Sequence, residues 1–503
     1  MAYVPVPKDL SKIKTKLAFN LTKRQLVCFS SAAAVGLPAY LFSRGSIGNS
    51  AAMFLMIGLM LPFFFLAMYE RDGLPLEKVL KNIIRTRFLY PVCGLTKPKT
   101  SMRCLAPERR RSRLRNSRRA GKPAGRKPEK QGLTGLFTKG KNIPTTAQQT
   151  LPYREMYRDG VCRVADRYYT KTIEYEDINY QLAQSEDQAA IFDGWSACLN
   201  YFDSSLPFQL SFLNHRSRPG SRYSVNIPMQ DDDYNSVRCE YVEMLENQIA
   251  KSNNGIVRTK LLTFGVNVDD LPTARARLER VEADICGNFK KLGVKCRSLS
   301  GLERLELLHG QLHPGSGSPF RFSWDMIPKT GLSTKDFIAP DSFDFRFSRL
   351  FRVGTTWGAA SYLQILASEL SDKLLAELLE MDAEMTITLH IQTVDQAAAV
   401  KSIKAKVSDI DKMKVEEQKK AARSGYDMDI LPPDLVTYSN DAKTLLEDLQ
   451  SRNERMFLLT FLVVNMAPTR RELDNDLFTV SGIVQKYNCT LKRLDFQQED
   501  GFL

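Results

Sequence analysis

Two histidines four residues apart are the strongest candidates for chemistry in this sequence. His309 and His313 fall on one face of a helix predicted over residues 302–313, and Glu306 lies one turn before His309. Imidazole and carboxylate groups at this spacing can bind zinc, so a metal hydrolase that uses the three residues is one hypothesis. Pro314 follows at once, however, and no second acidic or cysteine ligand lies nearby. We therefore expect structural histidines and predict no metal site.

A second candidate is a near-match to a phosphate-binding loop. Residues 135–142 read GLFTKGKN and miss the Walker A pattern at the last position, where Asn142 replaces the Ser or Thr that would hold magnesium. No apolar strand leads into the loop, and Pro144 lies where a helix should start. Because this kind of phosphate binding needs a strand, a loop and a helix, we predict no nucleotide site and no ATPase activity at 135–142.

The other titratable residues form no catalytic pattern. Asp231, Asp232 and Asp233 are able to bind a cation, but acidic residues before a helical run are typical of a helix start. His215 and His390 are isolated, and the chain has no serine nucleophile elbow or local cysteine–histidine signature. The sequence therefore predicts no catalytic residue, no cofactor and no metal ligand.

Two apolar runs without charges stand close together near the N-terminus. They cover residues 26–42 and 51–69, and at about 1.5 Å per helical residue each approaches the thickness of the hydrocarbon core of a bilayer. Basic residues flank both outer ends, whereas the turn 43–49 contains only Arg44. The positive-inside rule then predicts a transmembrane helical hairpin with both termini in the cytosol. A cleaved signal peptide and a pair of buried soluble helices are the alternatives.

The positive charge of the chain is concentrated in one segment. Residues 97–142 hold 16 Lys and Arg against two acidic residues, which accounts for the whole net charge of +14. The densest part, 109–130, is poor in apolar residues and predicts a disordered linker, which is a solvated spacer unless it contacts anionic lipid or, non-specifically, nucleic acid. The residues expected to make such contacts are Arg109, Arg110, Arg111, Arg113, Arg115, Arg118 and Arg119.

Beyond the linker the sequence has the alternating pattern of a cytosolic α+β protein. Helices that cross between strands suggest layers of the ferredoxin type, with a duplication of those layers as one arrangement. A flexible turn at 314–319 (PGSGSP) is a candidate boundary between two parts, and nine scattered cysteines without a CxxC pair indicate reduced thiols. The strands are expected at 161–164, 168–175, 208–213, 260–268, 294–299, 385–394, 456–466 and 489–496, and the helices at 188–202, 234–251, 271–292, 395–424, 443–453 and 472–487.

Two families of bacterial conjugation proteins resemble parts of the chain. The PrgI family of small inner-membrane proteins is similar to the first 95 residues, through MAYVPVPKD at 1–9, FNLTKRQ at 19–25 and MYERDGLPLEKVLKNII at 68–84. Residues 148–503 resemble the N-terminal region of the TraE/TraC-like conjugal-transfer ATPases of type IV secretion systems. The stretches that carry this second resemblance are 149–163, 177–184, 331–340, 418–433 and 450–461.

These resemblances imply three segments: a PrgI-like membrane domain at 1–95, the basic linker at 96–147, and the ATPase-like region at 148–503. They place the chain in the bacterial inner membrane as a multi-pass protein. Because the motor of that ATPase family would follow Leu503, the chain is expected to be a structural or docking component of a DNA-transfer apparatus, as a natural fusion or a remnant. The expected partners are membrane lipid, other inner-membrane subunits of the secretion system and the full-length ATPase. The alternatives are an adaptor that binds nucleic acid or lipid through the linker, and one half of a split conjugation ATPase.

Overall fold

Two long apolar helices lead into an α+β body that is built around one large antiparallel sheet. The predicted linker at 109–130, the loop at 135–142 and residues 316–319 of the candidate boundary lie outside the residues that the structure describes. The computed structural model describes residues 3–5, 16–18, 21–71, 73–89, 93–94, 144, 146–178, 180, 182–216, 227–252, 256–315, 320–367, 369–371, 373–425, 431–451 and 454–503.

The N-terminal segment is a helical hairpin with short strands on either side. The side chain of Thr22 accepts a hydrogen bond from the backbone of Gln25, whose side chain accepts one in return, and this capping box starts the first helix. The predicted turn at 43–49 is much shorter in the structure, where Gly48 alone separates the helices at a φ of 89°. The elements are β1 (Tyr3–Pro5), β2 (Lys16–Ala18), β3 (Leu21–Thr22), α1 (Lys23–Ile47), α2 (Asn49–Met68), β4 (Glu70–Arg71), β5 (Leu74–Pro75), α3 (Leu76–Ile84), a π-helical turn (Arg85–Leu89) and β6 (Cys93–Gly94).

The first part of the body follows the predicted order of strands and helices. The predicted helices and strands are present to within a few residues at each end, and the structure adds a short helix at Ala147–Thr150 and a short strand at Glu155–Met156 that the pattern did not predict. The elements are α4 (Ala147–Thr150), β7 (Glu155–Met156), β8 (Cys162–Arg163), β9 (Tyr168–Tyr175), α5 (Ser185–Asn200), β10 (Phe208–Arg216), α6 (Asn235–Ser252), β11 (Ile256–Asn267), α7 (Leu271–Lys291), β12 (Cys296–Ser298) and α8 (Gly301–Leu312).

The second part contains four strands that the sequence pattern did not predict, β13 to β16. The predicted helix at 395–424 and the predicted strands at 385–394, 456–466 and 489–496 agree with the structure, whereas the helix predicted at 443–453 begins at Pro433, ten residues earlier. The elements are α9 (Met326–Thr330), α10 (Thr334–Ile338), β13 (Ser342–Asp344), β14 (Phe351–Val353), β15 (Thr356–Ile365), β16 (Glu369–Ser371), α11 (Lys373–Leu379), β17 (Glu384–Thr393), α12 (Gln396–Arg423), α13 (Pro433–Ser451), β18 (Phe457–Ala467), α14 (Arg470–Lys486), β19 (Cys489–Arg493) and α15 (Gln498–Phe502).

Two groups of four strands form the centre of the sheet. In the first group the order is β12-β9-β11-β10, and in the second it is β19-β15-β18-β17. In chain order, each group has one helix after its first strand and another after its third. Between the second and third strands the first group carries α6, and the second group carries α12 and α13. The groups meet where β10 pairs antiparallel with β17, from Phe208 opposite Ile391 to Asn214 opposite Met385. Both groups therefore share one continuous sheet.

The body has a hydrophobic core on each face of this sheet. The larger core packs α7 and α14 on the strands, with Phe264, Ile285 and Val463 fully buried. The smaller core lies on the opposite face, where α8 and α10 cover the strands near Phe351. Val463 and Val464 are neighbours on β18 and belong to different cores, as the alternation of side chains along a strand requires.

Candidate membrane anchor and its junction with the body

Small residues bring the two helices of the hairpin close together. Ala32 on α1 and Ala52 on α2 are fully buried between the helices. Gly36 allows an even closer contact, because a Cβ atom at this position would lie 2.6 Å from the Cγ of Met60. Close backbone approach at small residues is typical of helix pairs in membranes, where dispersion contacts replace the hydrophobic effect as the driving force.

The outer surface of the hairpin is apolar. Phe42 is 86% exposed and Phe54 is 72% exposed, and both α1 and α2 are long and apolar enough to cross a membrane. The core helices of a soluble protein would bury such side chains. The hairpin therefore has the surface expected of a segment surrounded by lipid.

Arg24 closes the open end of the hairpin. Its guanidinium donates to the backbone carbonyl of Leu66, near the end of α2, and to the carboxylate of Glu77 at 2.8 Å, in the first turn of α3. One side chain thus ties the start of α1 to the end of α2 and to the segment that follows. This contact fixes the direction in which the chain leaves the hairpin.

A group of ion pairs joins the segment after the hairpin to the last residues of the body, and we call this group the junction. Arg71 lies 2.5 Å from one carboxylate oxygen of Asp495, and the other oxygen of the same carboxylate accepts from Arg349 at 2.5 Å. Arg85 lies 3.0 Å from Glu499, and 3.3 Å from an oxygen of the next residue, Asp500. Two arginines from the anchor thus meet three carboxylates of the C-terminal segment.

Backbone contacts reinforce the junction. The hydroxyl of Thr86 donates to the carbonyl of Phe496 at 3.4 Å, and Phe496 itself has a φ of 56°. This left-handed conformation is uncommon for a large side chain, and the backbone N–H of Phe496 holds it by donating to the carbonyl of Ser348 at 2.7 Å. The short strand β6 also adds to the edge of the sheet, with Cys93 opposite Phe343.

Burial changes the acidity of Glu499, one of the carboxyls of the junction. Burial raises the pKa of its carboxyl from 4.5 to about 7; the charge of Arg85 opposes this rise, and the charge of Asp500 adds to it. The side chain of Glu499 is only 14% exposed, so little water can hydrate its ionised carboxylate. The carboxyl therefore changes its charge near neutral pH.

The two histidines proposed as a metal pair stack on each other in α8. Their ring centroids lie 4.1 Å apart with an angle of 21° between the planes, and Nδ1 of His313 is 3.1 Å from the carbonyl oxygen of His309. The ring of Phe320 packs on His309 at 5.1 Å. Ring faces rather than ring nitrogens are turned toward each other. In the part of the chain that the structure describes, no three His, Cys, Asp or Glu side chains are grouped to hold a metal ion.

Asp232, the middle one of the three aspartates before α6, is engaged at the start of that helix. One carboxylate oxygen of Asp232 accepts from Arg238 at 2.6 Å, and the other accepts from the backbone N–H of Tyr234 at 3.1 Å. The hydrogen bond from Arg238 lowers the pKa of Asp232.

The two isolated histidines, His215 and His390, lie on the neighbouring strands β10 and β17 but are not opposite each other. The residue opposite His390 is Gln209. Burial lowers the pKa of His390. The candidate arginines from Arg109 to Arg119 lie outside the described residues.

An exposed apolar stripe begins at the residue before α6 and runs along the first half of that helix, and we call it the α6 stripe. Its members are spaced three, four and three residues apart, which places them on one face of a helix. Acidic residues at 231–233, 240 and 243 surround it. The α6 stripe consists of Tyr234, Val237, Tyr241 and Met244, all of them exposed.

Sequence reasoning missed the junction. Arg85 and Asp500 are separated by 415 positions, and no local pattern connects a basic residue after a hairpin with an acidic residue so much later. The sequence shows basic residues after the second apolar run and acidic residues among the last ten residues of the chain, but no pattern in it indicates that the two groups meet.

Fold and junction together define a protein with two helices able to cross a membrane, fastened to an α+β body with an antiparallel sheet. Residues 5–93 match the family described as PrgI family protein. The match ends at Cys93, so it covers the hairpin and its flanking strands and leaves the body unassigned. No curated protein matches the chain.

Proposed function

We propose that this chain is a membrane-anchored structural and docking component of a conjugative type IV secretion apparatus for DNA transfer. The observation that carries the proposal is the PrgI match over residues 5–93, which coincides with the apolar hairpin. The ion pairs of the junction support a docking role, because they hold the body at a defined position relative to the hairpin. The body is then presented to partners at the membrane surface.

We infer that the anchor lies in the bacterial inner membrane with both termini in the cytosol. The basic flanks of the hairpin support this orientation, since positively charged residues remain on the cytoplasmic side. Labelling of single cysteines with a membrane-impermeant maleimide tests it in intact cells. Cysteines introduced at Arg44 should react from outside, and those introduced at Arg71 should react only after lysis. The reverse pattern would contradict the orientation.

We also infer that the body is the N-terminal region of a conjugal-transfer ATPase and consists of two ferredoxin-like units that arose by duplication. The strand orders β12-β9-β11-β10 and β19-β15-β18-β17 support it, because each corresponds to the order 4-1-3-2 of a β-α-β-β-α-β unit. The proposed partners are the other inner-membrane subunits and full-length copies of that ATPase. Residues 1–503 are expected to hydrolyse no ATP of their own, and magnesium-dependent turnover by the purified chain would contradict this.

The α6 stripe is where we expect a partner to dock. Its apolar residues need a cover, and the acidic residues around it favour a basic amphipathic helix. A synthetic helical Leu/Lys peptide should bind the full chain, whereas a Leu/Glu peptide of the same spacing should not. Serine at both Tyr241 and Met244 should weaken binding about tenfold, and serine at the exposed Val415 of α12 should leave it unchanged. Equal binding of both peptides would contradict the assignment.

A charge placed in the middle of the hairpin tests the proposed function as a whole. Leu59 is exposed near the centre of α2, and arginine there disfavours membrane insertion by about 3 kcal/mol. Leu59→Arg should reduce both the membrane-bound fraction and the frequency of DNA transfer in donor cells that have no other copy. Leu182→Arg, at an exposed position of the body, is the control and should change neither. Undiminished transfer by a soluble Leu59→Arg protein would refute the proposal.

The charge of the linker supports a second function, in which the chain is an adaptor for nucleic acid or anionic lipid. The segment 97–142 carries the entire net charge of +14. Replacing the seven arginines from Arg109 to Arg119, both included, by glutamine should abolish salt-dependent binding to DNA or to vesicles with anionic lipid. DNA binding without vesicle binding would favour the nucleic-acid role, and unchanged binding to both would exclude the adaptor.

A further inference from the structure

Two cysteines meet where α7 covers the edge strand β12. Cys286 lies in the last part of α7, and Cys296 is the first residue of β12. Both are free thiols, both are half-buried, and both pack against the larger core. They are ten positions apart in the chain, so the turn after α7 brings them together.

The register of the sheet places Cys296 beneath the turn of α7 that carries Cys286. Cys296 is opposite Tyr175 on β9, so the two side chains share one face of the sheet. The Tyr175 ring stacks on Phe289, three residues after Cys286, with centroids 5.3 Å apart. One turn before Cys286, Glu282 forms an ion pair with Lys171 of the same strand β9. These contacts fix both ends of the helical turn over the strand.

The surroundings of Cys286 keep its thiol protonated. Burial, and then the neighbouring Cys296 thiol, raise the pKa of Cys286 to about 12. A thiol that keeps its proton is a poor nucleophile, so Cys296 is the group expected to attack first.

We propose that Cys286 and Cys296 are a thiol modification site that reacts with low-molecular-weight disulfides and closes into an intramolecular disulfide. Cys296 loses its proton to solvent and attacks one sulfur of the small disulfide, which breaks that S–S bond and releases one small thiolate. Cys286 then loses its proton and attacks the sulfur of Cys296 in the mixed disulfide, which releases the second small thiolate. Two protein thiols are oxidised, one small disulfide is reduced to two thiols, and both protons pass to the released thiolates.

The cross-link would attach an edge strand to the helix that covers it. Among the described strands, β12 pairs with β9 and is only three residues long. The Cys286–Cys296 bond would therefore hold β12 in place when the surrounding core loosens. Formation of this bond would report the redox state of the compartment that the body faces.

Oxidised glutathione added to the full chain in detergent tests the proposal. Mass spectrometry of peptides under non-reducing conditions should find Cys286 linked to Cys296, with the loss of two free thiols per chain and no glutathione retained on either residue. Cys286→Ser should trap glutathione on Cys296, and Cys296→Ser should slow modification of position 286 at least tenfold. Cys239→Ser, at an exposed cysteine of α6, is the matched control and should form the same linked peptide at the same rate.

Two results would overturn the assignment. One is glutathione retained on Cys286 or Cys296 of the natural chain, because it would show that the second attack does not occur. The other is modification of Cys239 without any linked peptide, in protein whose circular dichroism spectrum shows that it is folded. Either result would leave the two cysteines as ordinary packing residues.

Discussion

The raised pKa of Glu499 makes the junction between anchor and body sensitive to pH. Glu499→Gln keeps the size of the side chain and removes its titration, so it isolates the contribution of this one carboxyl. In the closed junction the carboxyl has a pKa of about 7, and in an opened junction the value returns to the ordinary 4.5. The closed state therefore binds a proton more tightly than the opened state. Its extra stability is complete below pH 4.5 and is lost as the pH rises through 7.

The size of the effect follows from the two pKa values. Between pH 6 and pH 8 the junction should lose about 1.3 kcal/mol of stability, which corresponds to a roughly ninefold larger opened population. Arg85 and Asp500 are the charged groups that face Glu499, and Arg85 limits the loss because it stabilises the ionised form. Glu499→Gln should make the opened population the same at both pH values.

Hydrogen exchange of the C-terminal amides measures this opening directly. The backbone N–H groups of Phe496, Gly501 and Leu503 all donate within the closed structure, so their exchange reports the opened state. After correction for intrinsic exchange rates, their protection should fall about ninefold between pH 6 and pH 8 in the natural chain. Asp166→Asn removes a carboxylate from an exposed ion pair elsewhere and should keep the same pH dependence. Equal protection at both pH values, or a pH dependence that persists in Glu499→Gln, would refute the reasoning.

Three further substitutions test the packing on which the proposals depend. Gly36→Leu should destabilise the hairpin by about 2 kcal/mol because it displaces Met60, and should lower the melting temperature in detergent, whereas Gly58→Leu, with open space around its Cβ position, should not. Asn465→Leu should raise the free energy of unfolding by about 1 kcal/mol in urea titrations, since both amide atoms of Asn465 are buried without a partner; a lower midpoint would show that the amide is satisfied. Gly160→Ala should destabilise the body by about 3 kcal/mol or prevent its expression as folded protein, because φ is 82° there and a Cβ would lie 2.0 Å from the Leu299 carbonyl oxygen.

Hydrophobic periodicity predicted the elements whose burial is regular. The apolar run at 26–42 lies within α1, and the run at 51–69 lies within α2 except for its last residue, Tyr69. The run at 456–466 is β18, and the stripe of α14 that contains Leu473 and Val480 faces the core as a 3.6-residue period requires. These segments were predictable because a single strong pattern determines which side of each is buried.

The strand β15 was not predictable in the same way. It reads TWGAASYLQI and is buried along most of its length on both faces, so it shows no alternation of apolar and polar residues. Its small residues are typical of a loop, yet the close packing around β15 requires small residues at these positions. A Cβ at Gly358 would lie 2.3 Å from the ring of Phe351, and Ala360 contacts α15 in the smaller core. The identity of the neighbours, which the local sequence does not contain, decides that this segment is a strand.

The pairing of β10 with β17 has a consequence for any attempt to study the two strand groups apart. In this ladder each group covers an edge of the other, along seven residue pairs from Phe208 to Asn214. Cutting the body between the groups would leave a long, apolar ladder of unsatisfied N–H and C=O groups on both fragments. Such fragments would associate with one another or aggregate through the exposed edges rather than remain as separate soluble units. Solubility of this body is thus a property of the joined pair.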